Sequence, residues 1–208
     1  MGGIVLAAGD VSLGLAPEIG GAVSWLRIDG ADVLRPLAPG AGVLGASCFP
    51  MVPFVNRVAF GRFAFEGRAV ELAPNMGAHP HPLHGEGWLA PWRLEGISPT
   101  QATLRFSGGG APSWPWPYSA RQTWRINARG VEAALSLTND GPEPMPAGLG
   151  FHPYFQGQSD VRLSATLAQI WRTEGDLPAD AAPVDPDFLA PAGAVLAGKG
   201  YDHCFNGW

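Results

Sequence analysis

Sulfur, charge and long apolar runs are all scarce in this chain. Its two cysteines, Cys48 and Cys204, stand far apart among 208 residues. Two are too few for a disulfide framework, so buried free thiols are expected. Charged residues make up only 15%, and the 13 Lys and Arg are scattered singly under a formal net charge of -5. No basic stripe is available to neutralise a phosphate backbone, which argues against nucleic acid as a partner. No apolar run reaches the length of a membrane span, and the apolar patch Ile4-Val5-Leu6-Ala7-Ala8 lacks the basic flank of a signal peptide. A soluble, cytoplasmic protein with no membrane partner is expected. No window of ten residues keeps a 3.6-residue apolar period free of Gly and Pro, so helices should be few and short.

Three catalytic signatures are missing as well. There is no Gly-x-Ser-x-Gly turn for a hydrolase nucleophile, and Ser47, in Gly45-Ala46-Ser47-Cys48-Phe49, reads as a small residue packed beside a turn. Gly108-Gly109-Gly110 precedes neither a Lys-Ser/Thr pair nor a helix, and reads as a flexible turn instead of a phosphate cradle. No pair of carboxylates suggests glycoside cleavage.

What the chain does contain is a large apolar fraction, 46%, enough to bury one sizeable core. A single domain over residues 1–208 is expected. Gly and Pro are abundant but interspersed, which suits many short strands joined by turns. The clearest strand covers residues 118–127, where Tyr118, Ala120, Gln122, Trp124 and Ile126 alternate with polar residues. After the turn Ala128-Arg129-Gly130, the alternating run Val131, Ala133, Leu135 and Leu137 completes a hairpin. Further strands are expected over 11–15, 22–28, 62–65, 69–72, 92–97, 102–106 and 161–165, each bounded by turn residues. The Ala, Pro, Asp and Gly rich span 177–200 reads as a long exposed loop. The fold class is all-β, a large antiparallel sandwich.

Chemistry concentrates in two segments, His79-Pro80-His81-Pro82-Leu83-His84-Gly85 and Gly150-Phe151-His152-Pro153-Tyr154-Phe155, which hold four of the five histidines. Imidazole can give or take a proton near neutral pH, and the prolines fix the backbone around it. The spacing of His79, His81 and His84 invites a metal, but the stiff loop carries no Asp or Cys to complete a ligand set, so a non-metal role is favoured. Asn56-Arg57 adds an amide and a rigid guanidinium fork suited to hydroxyl and ring oxygens. Trp114-Pro115-Trp116-Pro117-Tyr118 could stack on sugar faces, although a proline-fixed entry into the strong strand with indoles in the core is the preferred reading.

Taken in order, Asn56-Arg57-Val58-Ala59-Phe60-Gly61-Arg62-Phe63, Pro82-Leu83-His84-Gly85 with Gly87-Trp88 and Pro91-Trp92, Trp114-Pro115-Trp116-Pro117-Tyr118, Gly150-Phe151-His152-Pro153-Tyr154-Phe155 and Tyr201-Asp202-His203 resemble the aldose 1-epimerase (galactose mutarotase) family. Five motifs in the family's order cover nearly the whole chain. The resemblance implies a mutarotase-type β-sandwich and a cofactor-free isomerase of carbohydrate metabolism that interconverts the α and β anomers of an aldose. It implies that His84 and His152 sit over the ring oxygen and the anomeric group, and the pKa range of imidazole suits His152 as the principal acid, with His84 assisting or hydrogen-bonding the ring oxygen. Arg57 would hold sugar hydroxyls, Asn56 would orient Arg57 or its loop, and Asp202 would bind hydroxyls on the far side. The family's general base is a glutamate in a segment after the Asp motif. None of Glu86, Glu95, Glu132, Glu143 or Glu174 matches its context, so the family's C-terminal strands and base are expected to be missing from this chain. A neutral aldohexose is the expected ligand, since no second basic cluster offers to hold a phosphate. A non-catalytic carbohydrate-binding or sugar-sensing protein of the same fold is the alternative, and a fragment whose sheet edges are covered by another chain is a third reading.

Overall fold

A computed structural model describes residues 3–110, 112–157, 161–189, 191–195 and 204–206. The chain folds as two compact units, Met1–Gln156 and Gly157–Trp208. Among the described residues, helix is confined to 3₁₀ turns at Val43–Gly45, Ala59–Gly61 and Pro186–Phe188. The rest of the regular structure is strand, paired antiparallel throughout the named ladders.

In the first unit, β1 (Ile4–Ala8), β2 (Val11–Ala16), β3 (Ala22–Ile28) and β4 (Ala31–Asp32) form a meander. A short strand, β5 (Pro50–Met51), and a hairpin of β6 (Arg62–Phe65) and β7 (Arg68–Glu71) follow, and then the second meander. That sheet comprises β8 (Arg93–Ser98), β9 (Gln101–Gly110), β10 (Trp114–Asn127) and β11 (Gly130–Asn139). The last strand of the unit, β12 (Gly150–Phe151), returns to pair with β5.

Alternation along β10 decides how the sheets meet. Tyr118, Ala120, Gln122, Trp124 and Ile126 are all buried, the face expected from the sequence. Leu6, Val11, Leu13, Leu15 and Val23 of the first sheet close on Ala102, Trp124 and Ile126 of the second. Each such aliphatic side chain contributes about 1.5–3 kcal/mol of burial. Gln122 is the polar member of this face, and its amide is satisfied: Nε2 donates to the Gly21 carbonyl at 2.8 Å, and Oε1 accepts from Trp124 Nε1 at 2.9 Å. Trp114 and Trp116 are buried with Val70, Leu72, Leu104 and Tyr118. The core reading of the Trp-Pro-Trp-Pro run is therefore the one the packing supports.

Two expectations change. Gly108–Gly110 is not a free turn but the end of β9, where Gly110 pairs with Trp114 and Gly108 with Tyr118. Gly109, at φ +96°, is required there because a Cβ would lie 2.1 Å from the Trp116 carbonyl oxygen. Nor are the described residues of the span 177–200 one open loop. In the second unit, β13 (Arg162–Leu163), β14 (Gln169–Glu174), β15 (Leu177–Pro183), β16 (Ala194–Val195) and β17 (Cys204–Asn206) make two small sheets, in the orders β15-β14-β17 and β13-β16. β15 lies at an edge of its sheet, the position in which prolines such as Pro178 and Pro183 are tolerated.

Candidate functional site

The site is assembled on one extended segment, residues 47–57, which is paired on both sides. On one side Tyr154 N donates to Ser47 O at 2.8 Å, His152 N to Phe49 O at 2.9 Å and Gly148 N to Pro53 O at 2.8 Å, continuing the register of β5 and β12. On the other side Val52 bridges Gly85 in parallel and Arg57 bridges Leu83 antiparallel. His84 N donates to Asn56 O at 2.9 Å. Residues 84 and 152, separated in sequence by the whole of the second sheet, are thereby delivered to one place. Their ring centroids lie 5.4 Å apart at 72°.

His84 is locked from several directions. Its backbone is left-handed, φ +57°, and so is that of Asn56, φ +62°, conformations that Asn and His adopt more readily than most residues. The two residues clasp each other, because Asn56 N donates to His84 Nδ1 at 3.1 Å in return for the bond from His84 N. A neutral ring whose Nδ1 accepts carries its proton on Nε2. Burial, then the nearby His152 and then the Arg57 guanidinium, lower the His84 pKa to about 3. The residue is thus a neutral imidazole at pH 7, presenting an N–H.

Two further side chains hold the loop behind it. Asn75 Nδ2 donates to the carbonyls of Leu83 and Gly85 at 2.8 and 2.7 Å, and its Oδ1 accepts from Leu83 N at 2.7 Å. The indole Nε1 of buried Trp88 reaches the same two carbonyls at 3.0 Å each. The backbone on either side of His84 is fixed by both. Gly85 must be glycine, since at φ +72° a Cβ would stand 2.0 Å from Val52 O.

His152 is held by stacking. Its ring lies on buried Phe49, 4.8 Å between centroids at 22°, and Tyr154 follows at 4.7 Å and 30°. Phe49 in turn stacks on Trp88 at 5.5 Å and 29°. Together with Ala22, Ala46, Met51 and Leu83, these two aromatic residues form the apolar floor of the site. Trp88 was visible in the motif Gly87-Trp88, whereas Phe49 and Asn75 carried no signal beyond apolar and turn character.

Arg57 is half-buried with its Nε enclosed and without a hydrogen-bond partner. Asn56 Oδ1 accepts from Arg57 N at 2.8 Å. The other loop histidines face elsewhere: buried His81 accepts from Phe60 N at 3.0 Å through Nδ1, and His79 Nδ1 accepts from His81 N at 3.4 Å. Among the described residues no group of three or more His, Cys, Asp or Glu is arranged to hold a metal. Glu86, the carboxylate next to the His84 loop, accepts from Gly109 N at 2.6 Å. Ser47 is buried, and its hydroxyl donates to Arg35 O at 2.6 Å. Asp202, with Tyr201 and His203, lies outside the described residues. No described helix is long and apolar enough to cross a membrane.

A family model described as aldose 1-epimerase matches residues 4–208. The uncharacterised protein YphB of Escherichia coli K12 is 32% identical over 207 residues, which is 98% of this chain and 69% of YphB. YihR of the same organism is 24% identical over 152 residues, 73% of this chain and 49% of its own length. Among solved structures, a candidate aldose 1-epimerase from E. coli K12 superposes with a TM-score of 0.83 at 31% identity, covering 90% of this chain and 64% of that one. A galactose mutarotase-like protein from Clostridium acetobutylicum gives 0.79 at 18% identity, covering 94% and 66% respectively, and shows the shared fold. The chain thus spans from about half to about two thirds of the length of these relatives.

Proposed function

Because the chain belongs to the aldose 1-epimerase family, we propose that it interconverts the α and β anomers of a neutral aldohexose by acid-assisted ring opening. His152 gives a proton to the ring oxygen as the bond from that oxygen to C1 breaks, the electron pair staying on the oxygen. The anomeric hydroxyl releases its proton to water, and C1 becomes an aldehyde. Rotation about C1–C2 and reclosure on either face then return the proton to His152. His84, neutral and protonated on Nε2, donates a hydrogen bond to the ring oxygen and does not itself ionise. Arg57 holds hydroxyls with its planar fork, Asn56 orients the Arg57 backbone, and Asp202 takes hydroxyls on the far side.

The observation that carries this reading is the double pairing of residues 47–57, which sets His84 and His152 5.4 Å apart with Arg57 close enough to act on the His84 charge. A positioned proton donor contributes about 10²–10⁴-fold. Anomer exchange followed by polarimetry or NMR tests it: the wild type accelerates exchange, His152→Ala loses most of that factor and His84→Ala a smaller part. Unchanged rates in both variants would remove the acid assignment. Calorimetric sugar binding without faster exchange would instead make the protein a carbohydrate-binding module.

A further inference from the structure

The stack that holds His152 does not end at Tyr154. The Arg35 guanidinium carbon lies 4.0 Å from the centroid of the Tyr154 ring, so Trp88, Phe49, His152, Tyr154 and Arg35 form one continuous column. Arg35 is built into this place. Its Nη2 donates to Leu44 O at 2.8 Å and Ala46 O at 2.9 Å, its backbone N donates to Tyr154 O at 2.8 Å, and its carbonyl accepts from Ser47 Oγ at 2.6 Å. The guanidinium Nε is buried without a hydrogen-bond partner, and the group spends its remaining surface on the phenol ring. A guanidinium is planar and permanently charged, so it both flattens the column and fixes a positive charge behind the imidazole.

We propose that Arg35 is a positioning residue for His152, acting through Tyr154 to hold the imidazole plane and to make its protonated form a readier proton donor. The contacts place the guanidinium within about 9 Å of the His152 ring, a range at which one positive charge disfavours another. Among the described residues, His84 from the loop after β7 has its ring 5.4 Å from that of His152, Cys48 beside β5 is hydrogen-bonded to the His152 backbone, and Arg57 acts on the His84 charge. Cys48 stays a neutral thiol, pushed up to about 12 by burial, and His84 is neutral at pH 7. Arg35 therefore contributes a charge that these two do not. An acid with a lowered affinity for its proton gives it up more readily to the sugar ring oxygen.

Only the kinetic arm of the test rests on the mutarotase reading. NMR titration of the His152 imidazole, assigned with His152→Asn, is compared in the wild type, Arg35→Gln, Arg35→Met and Arg35→Lys. The neutral variants are expected to raise the His152 midpoint by about 0.5 pH unit, with the alkaline limb of the anomer-exchange profile, where the acid loses its proton, moving by the same amount. Arg35→Lys, which keeps the charge but loses the planar contact, should move the midpoint less and still lower the exchange rate. An unchanged midpoint in a folded neutral variant overturns the proposal, and so does failure of both neutral variants to fold, since Arg35 is then a structural bracket alone. A shifted midpoint in a wild-type background that does not accelerate exchange upholds Arg35 and removes the mutarotase reading.

Discussion

Position 84 shows how much one side chain's surroundings do to its chemistry. A free histidine binds its proton near pH 6.5, but burial first, and then His152 and Arg57, lower His84 to about 3. Between those pH values the unfolded chain holds more protons at this residue than the native one, so stability rises with pH across the window and falls on acidification. Acidifying from pH 7 to 4.5 is expected to cost up to about 2–3 kcal/mol through this residue. Urea midpoints at the two pH values, for the wild type and His84→Gln, measure it: the pH gap should narrow in the variant, and an equal gap in both would show that the ring is not held neutral. Gly85 makes a steric prediction beside it. With a Cβ 2.0 Å from Val52 O and a backbone at φ +72°, Gly85→Ala should destabilise by about 1–3 kcal/mol, read as a lower melting temperature together with slower anomer exchange.

Among the elements, the segment 47–57 matters most, because both histidine-bearing segments take their register from it. None of its pairings was legible in sequence. Pro50–Met51 and Gly150–Phe151 are two-residue strands, too short for a period, and the bridges at Val52 and Arg57 are isolated. The loop carrying His84 depends equally on Asn75, which serves three backbone groups at once. Asn75→Ala leaves two carbonyls and an N–H with fewer partners, at a cost of about 1–3 kcal/mol per group left unsatisfied. Asn75→Asp should be the worse change, since a carboxylate would face the carbonyls of Leu83 and Gly85. Melting temperature and exchange rate together test this: the two should fall in that order, and full activity in Asn75→Asp would show that the clamp does not position His84.

Over the whole molecule, the contact between the two meanders and the floor of the site are separate clusters of buried side chains. Leu13 is fully buried in the former. Leu13→Ala should cost about 2–5 kcal/mol in urea denaturation while leaving anomer exchange per folded molecule unchanged; a parallel loss of exchange would show that the two clusters are coupled. The sequence by itself determined the all-β class, the inward face of β10 and the ordered motifs that mark the family. Strand alternation and turn residues are local properties, and a motif is a string. Strands without alternation, such as β15, and the end of β9 at Gly108–Gly110 were missed, because pairing with a neighbour and not local pattern defines them. Only the tertiary structure decided that His84 is a neutral donor, that Asn75, Trp88 and Phe49 support the pair, and that Arg35 stands behind His152. Burial, hydrogen-bond partners and stacking are relations between residues distant along the chain, and they exist only once the chain is folded.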